Sequence, residues 1–373
     1  MRILIAPDKF KNSLTAREVA DSIAAGLHDV LPDATLDIIP VADGGEGTAD
    51  VICQACVGEW VVCDGHDALG RAIAARYVWL RERMTAVLEM SETSGLWRIA
   101  PHERDPFYAS TYGVGEMLLA AVRRDASDVI VGLGGSATND GGFGMARALG
   151  FRFLNSNRVE LIGPVSDLQD LEHIWSPPDL GLPRVTVAVD VRNPLLGARG
   201  ATRTFGPQKG VTSDQLAAFE EALSRLADVV ARDLGCDFRE TAGAGAAGGL
   251  GFGLMSFCGA TIRPGFGLVA EVLGLAAAIQ RADVVITGEG SLDYQTLEGK
   301  APAGVARLAR ERGKRVFAIV GCAEEHAATR ELFDGVVVLA QPPITREQAI
   351  LRAQELLRQR ARELGGTLLL ACS

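Results

Sequence analysis

The stretch MRILIAPDKFKNSLTAREVADSIAAGLHDVLPDATLDIIPVADGGEGT, residues 1–48, decides the fold. Arg2–Ala6 reads as a short apolar strand and Pro7–Asn12 as a loop. Thr15-x-x-Glu18 is a capping box, in which a hydroxyl and a carboxylate satisfy the backbone N–H groups that open a helix. Val19, Ile23 and Leu27 then recur on one helical face. Leu36–Pro40 is the next strand and delivers Val41-Ala42-Asp43 to a glycine-rich turn. Strand, helix and strand in this order make a βαβ unit with a ligand-type loop at a strand's carboxyl end.

The far end of the chain repeats that grammar. Asp283–Thr287 is an apolar strand ending at Gly288-Glu289-Gly290, and a helix follows through Ala303–Arg312. Arg315–Val320 and Gly335–Leu339 are further strands, and Thr345-x-x-Gln348 caps a last helix running to Leu364. Such alternation predicts an α/β fold with a parallel, Rossmann-like sheet flanked by helices. The middle differs: Glu59–Cys63, Ala72–Leu80 and Thr85–Glu89 resemble short strands joined by tight turns, and Asp128–Leu133 and Val185–Asp190 are strands leading into loops. The expected organisation is a discontinuous Rossmann-like domain, residues 1–55 plus 265–373, with a mixed α/β domain inserted at 56–264 and the active site in the cleft between them. A chain of 373 residues is long enough for two domains.

Composition narrows the function. A formal charge of −10 and the lack of a long basic run argue against nucleic acid. No apolar run reaches the roughly 18 residues of a membrane span, and the first strand is too brief for a signal peptide, so a cytoplasmic location is expected. The seven cysteines fit reduced, buried thiols better than a disulfide framework. Only five of the 37 Lys and Arg residues are lysine: Lys9, Lys11, Lys209, Lys300 and Lys314. A lysine retained against an arginine background suggests a place for a compact ammonium.

Three stretches set acidic groups on glycine-dense backbone: Asp43–Thr48, Gly134–Gly142 and Gly288–Asp293. Glycine lets N–H groups approach phosphate oxygens, while neighbouring carboxylates can hold Mg²⁺ or take a proton from a hydroxyl. No Walker A signature is present: Glu298-Gly299-Lys300-Ala301 lacks the first glycine and the Ser/Thr. Glycine patterns at 132–137 and 243–248 lack an acidic partner near the offset that a dinucleotide site needs. A phosphate loop at 134–142, before a helix over Gly141–Leu149, needs only backbone N–H groups. Asp190 closes a strand, Asp8 and Lys9 stand at the mouth of the first, and Asp293 and Lys300 follow the third glycine loop. The five histidines suggest neither zinc nor a hydrolase triad.

In order, these segments resemble the bacterial type I glycerate kinase family along nearly the whole chain. The resemblance rests on Ile5–Asp8, Val41–Thr48, Ser94-Gly95-Leu96, Thr111–Glu116, Gly134–Gly142, Asp190, Asn193-Pro194-Leu195, Phe205–Gly210, Gly243–Gly251, Arg263-Pro264-Gly265 and Thr287–Asp293 with Gln295-Thr296 and Gly299-Lys300. Lys9 and Asn12 stand where relatives often show Ser and Gly, and Ser291 where Arg is frequent. The resemblance implies ATP- and Mg²⁺-dependent phosphorylation of D-glycerate to 2-phosphoglycerate, in glyoxylate or sugar-acid catabolism. It leaves a homodimer open.

On that basis Asp190, Asp293 and Lys300 are the expected catalytic residues, and Asp293 with Glu289 the metal ligands. Asp8, Lys9, Asp43 and Ser94 are expected to bind substrate. Gly134, Gly135, Ser136, Asn139, Asp140, Lys209, Gly245 and Gly248 are expected to bind nucleotide. A nicotinamide-dependent hydroxy-acid oxidoreductase and a non-catalytic organic-acid sensor are the alternatives.

Overall fold

The computed structural model describes residues 1–178, 181–292, 300–324 and 331–370. In chain order the strands are β1 (Arg2–Ile5), β2 (Thr35–Ile38), β3 (Glu59–His66), β4 (Ala72–Leu80), β5 (Thr85–Glu89), β6 (Asp128–Gly132), β7 (Arg152–Asn155) and β8 (Leu171–Trp175). There follow β9 (Arg184–Ala188), β10 (Thr261–Arg263), β11 (Val284–Thr287), β12 (Ser291–Leu292), β13 (Arg315–Val320), β14 (Cys322–Ala323) and β15 (Gly335–Val338). Two compact units divide the chain: Met1–Asp43, Asp50–Cys56 and the residues from Phe266 onward in the first, Gly44–Ala49 and Val57–Gly265 in the second.

The first unit carries a five-stranded sheet in the order β15-β13-β11-β1-β2, parallel throughout. Alternation along each strand feeds two cores, one per face. Ile3, Ile5, Val284, Ile286, Phe317 and Ile319 pack into one, against helices Ala16–His28 and Ala353–Leu370. Leu4, Val285, Val316, Ala318 and Val320 pack into the other, against helices Leu275–Arg281 and Ala301–Glu311. A strand buried on both faces must be apolar without alternation, which is how β1, β11 and β13 read. Thr15 caps the first helix as its spacing predicts, with both capping-box bonds formed, and Thr345 caps Arg346–Leu351 in the same way.

Chain order runs outward from β1 in both directions, to β2 on one side and through β11, β13 and β15 on the other. Ligands in open parallel sheets bind outside the carboxyl ends of the strands where that order reverses. Here the reversal lies between β1 and β11, so Asp8 after one and Gly288-Glu289-Gly290 after the other stand at that point.

The second unit holds a six-stranded mixed sheet in the order β10-β9-β6-β5-β4-β3, with β3, β4 and β5 antiparallel neighbours and the rest parallel. Tyr77, Leu88, Val131 and Val187 join helices Tyr112–Val122, Leu216–Asp233 and Ala246–Cys258 in one large core. The carboxyl ends of β5, β6 and β9 share an edge, which places residues 89–96, 133–142 and 189–190 together. The antiparallel pair β7 and β8 was not read from the sequence. The expected helix over Gly141–Leu149 is shorter, Phe143–Ala148, and the last expected helix is two, broken at Arg352.

The six cysteines of the described residues are free, as expected, but half-buried rather than fully enclosed. Among the described residues no helix is long and apolar enough to cross a membrane.

Candidate active site

In the first unit, backbone geometry brings acidic groups to the carboxyl edge of the parallel sheet. The Asp8 N–H donates to Gly288 O at 2.8 Å, tying the end of β1 to the end of β11. Thr287 Oγ1 donates to Ala6 O at 2.7 Å beneath them. Gly288 has to be glycine, because a Cβ there would overlap the Ile319 carbonyl on β13. Asn12 adopts a left-handed φ of 63°, a conformation asparagine tolerates better than most residues, which explains how it stands where relatives often use glycine.

The electrostatics of this edge are unfavourable for uncompensated carboxylates. Asp8 keeps a partly exposed edge, yet burial, aided by the Asp43 carboxylate and more weakly by Glu289, pushes it up to about 8 against the opposing pull of Lys9. The Lys9 N–H donates to Asp8 Oδ1 at 2.7 Å. Glu289 is almost fully buried, with the Lys300 ammonium 3.8 Å from its Oε2. The sequence-predicted Asp8, Lys9, Asp43, Glu289 and Lys300 therefore gather in one unit. Asp293 lies outside the described residues.

Asp8, pressed by the Asp43 and Glu289 carboxylates and set next to lysines, suits a site that takes a cation as well as an organic anion. Among the described residues no three His, Cys, Asp or Glu side chains converge as a ready metal cage. Mg²⁺ is commonly held through one or two protein carboxylates, with waters and substrate oxygens completing its shell, and Glu289 is a described carboxylate at this edge that could serve as one.

In the second unit, loop 44–49 lies over the carboxyl ends of β5, β6 and β9. The Ala49 N–H donates to Glu89 Oε1 at 2.8 Å. A Cβ on Gly134 would come within 2.6 Å of Gly45 Cα, and one on Gly44 within 2.9 Å of Ala188 O. Gly135, at φ 69°, is exposed, and a Cβ there would overlap the Glu46 carboxylate. Gly134 is half-buried and Gly135 exposed, and the close approach of loop 44–46 leaves neither position room for a side chain. Asp190, two residues beyond β9, is half-buried and accepts the Gly265 N–H at 2.8 Å through Oδ1.

Six of the residues expected to contact ligand are buried and engaged within the fold. Asp140 is 1% exposed and accepts from the Thr111 N–H and hydroxyl and from the N–H groups of Gly142 and Gly144, at 2.8 to 3.1 Å. Burial still raises it above the ordinary carboxylate range. Lys209, also 1% exposed, donates from Nζ to Thr138 O at 2.6 Å, and burial draws its ammonium down to about 7. Asn139 donates from Nδ2 to Thr202 Oγ1 at 2.9 Å, and Ser94 from Oγ to Ser110 O at 3.0 Å. Gly245 and Gly248 are buried because their backbones press against Pro194 O and Thr138 O.

The two glycine-rich loops pack on one another, as the Gly141 N–H to Gly248 O bond of 3.0 Å shows, which encloses the polar groups between them. Ser94 is enclosed separately, by its bond to Ser110 O. Ser136 is nearly buried too, bridged to Gly95. Glu46 and Glu89, which the sequence reading left without roles, border the open part of this loop system. The signal for Glu46 was its place among the glycines of 44–47.

Comparison with known proteins places this arrangement. The model described as the glycerate kinase family matches residues 3–369. A glycerate kinase of Bacillus subtilis (strain 168) is 39% identical, covering 100% of this chain and 98% of the relative. The glycerate 2-kinase of Escherichia coli (strain K12) is 40% identical over 86% of this chain and 85% of its own. A crystal structure from Salmonella typhimurium LT2, provisionally described as glycerate kinase 2, superposes with a TM-score of 0.87 at 39% identity and covers 100% of this chain and 99% of that one. Matched along almost its whole length by sequence and by fold, the chain belongs to the glycerate kinase family.

Proposed function

We propose that this protein transfers the γ-phosphoryl group of ATP to D-glycerate, giving 2-phosphoglycerate and ADP. The observation that carries this reading is the set of carboxylates and lysines at the carboxyl edge of the parallel sheet, in a chain 40% identical to a relative named glycerate 2-kinase. Phosphoryl transfer asks a protein mainly for positioning and charge neutralisation.

Asp190 is the proposed base. Its carboxylate takes the proton as the glycerate hydroxyl oxygen bonds to the γ-phosphorus and the bond to the ADP oxygen breaks. Lys9 pairs with the glycerate carboxylate, and Asp43 accepts a second substrate hydroxyl, with Asp8 ordering this pair. Gly134 and Gly135 offer backbone N–H groups to nucleotide phosphates, and Lys300 adds a positive charge. Glu289, with Asp293, would hold Mg²⁺, which when bound neutralises charge across the phosphates. Asp140, Lys209, Asn139, Ser94, Gly245 and Gly248 act by keeping these loops in place. The site belongs to a cytoplasmic enzyme of organic-acid catabolism on this reading.

The test is to incubate purified protein with ATP, Mg²⁺ and D-glycerate, follow ADP, and identify the product isomer by phosphorus NMR. Glycerate-dependent ADP release with 2-phosphoglycerate supports the proposal. The 3-phospho isomer keeps the kinase and overturns the regiochemistry; no turnover by folded protein overturns the activity.

A further inference from the structure

Within the second unit lies an open cavity of about 450 Å³, lined among others by Glu46, Glu89, Glu92, Arg76, Arg98 and Trp97. It joins loop 44–49 to the segment that follows β5. The phosphate-type roles proposed above do not use it.

Its chemistry is selective. Trp97 is 61% exposed, unusual for so large an apolar side chain, yet it is locked: Nε1 donates to Ser91 O at 2.9 Å, and the Arg98 guanidinium sits 4.2 Å from its ring centre. A fixed, solvent-facing indole is a stacking platform whose ordering cost is already met in the free protein. Arg76 and Arg98 are both engaged by Glu92, at 3.2 and 3.5 Å, so neither is an unencumbered anion receptor. Three carboxylates against two guanidinium groups leave the lining net negative. Such a wall rejects phosphate and favours a planar group rich in N–H and O–H donors.

The location supplies the rest. The Leu96 N–H donates to Gly135 O and the Ala137 N–H to Ser94 O, both at 2.8 Å. The segment that carries Trp97 and the segment that carries Gly135 are therefore one hydrogen-bonded structure, and Glu46 joins them, since it lines the cavity and its carboxylate stands over Gly135.

We infer that this cavity receives the nucleoside of the phosphoryl donor, with the base stacked on Trp97 and its amino and ribose hydroxyl groups donating to the carboxylates of Glu46 and Glu89. The inference rests on the proposed ATP-dependent activity and adds to it the place and chemistry of donor recognition.

The experiment measures ADP binding by calorimetry, and KM for ATP and for glycerate, in wild type, Trp97→Ala and Ala74→Phe. Ala74 is an exposed β4 residue in the cavity lining, so the larger ring fills the cavity without entering the core. Loss of a stacking platform is expected to weaken ADP binding and raise the KM for ATP about tenfold in Trp97→Ala. Ala74→Phe is expected to do at least as much, with KM for glycerate and Tm unchanged in both. Wild-type ADP affinity in both folded variants, while wild type turns over glycerate, overturns the cavity assignment alone. A wild type that neither binds ADP nor turns over overturns the activity and the cavity together.

Discussion

Asp8 and Asp43 oppose each other at the carboxyl ends of adjacent parallel strands: after burial, the Asp43 carboxylate is the largest influence pushing Asp8 up to about 8. In an unfolded chain Asp8 titrates near 3.8. Between those values the folded protein holds a proton that the unfolded chain has lost, so this group's contribution is fully present below about pH 4 and disappears as pH rises through 8. Asp8→Asn removes the repulsion. The variant is expected to gain on the order of 2 kcal/mol over wild type at pH 9 and little at pH 4, read from urea midpoints across that range. A pH-independent difference would show that the pair is not strained.

Asp190→Asn separates chemistry from folding. An amide oxygen still accepts the Gly265 N–H that Asp190 accepts at 2.8 Å, so the loop after β9 keeps its shape. Turnover is expected to fall roughly 10²- to 10⁴-fold with Tm unchanged, the range for a lost general base. Measured kcat within threefold of wild type would place the base elsewhere.

Lys209 gives a slope of the opposite sign to that of Asp8. Burial lowers its ammonium from 10.5 to about 7, so between those values the unfolded chain binds a proton that the folded protein does not, and stability rises with pH. The neutral amine still donates to Thr138 O. Lys209→Met is expected to change stability little at pH 7 and to cost about 1–3 kcal/mol at pH 10, with KM for ATP raised as the glycine loop loosens. Parallel pH–stability curves for the two proteins would refute this account.

Gly134→Ala tests the proposed phosphate loop by sterics alone. Its methyl would stand 2.6 Å from Gly45 Cα, which is backbone and cannot swing away as a side chain could. One loop must shift. The expected result is a KM for ATP raised at least about tenfold, with far less effect on KM for glycerate. Equal effects on both substrates would mean a general distortion.

Elements defined by near neighbours were legible in the sequence. The Thr15 and Thr345 capping boxes, the doubly buried β1, β11 and β13, and β4 and β5 with their stated bounds are local patterns that packing reinforces. The left-handed run Ala247 to Gly249 inside helix Ala246–Cys258 was not legible, because its glycine-rich sequence admits several backbone paths and contact with Thr138, Asn139 and Gly141 selects one.

The candidate site divides along the same line. Sequence alone determined that acidic residues follow strands at glycine-dense turns, and a parallel sheet sends such turns to one edge, so Asp8, Asp43 and Glu289 assembled as their positions imply. Only the tertiary structure decided which residues of these turns are enclosed and which stay open. Asp140 and Gly135 stand five residues apart in one loop, yet the first is enclosed by Thr111 and Gly144 while the second is open. Enclosure depends on which distant loop packs above a residue, and an unpaired polar group costs enough when buried that the surrounding fold assigns its partners.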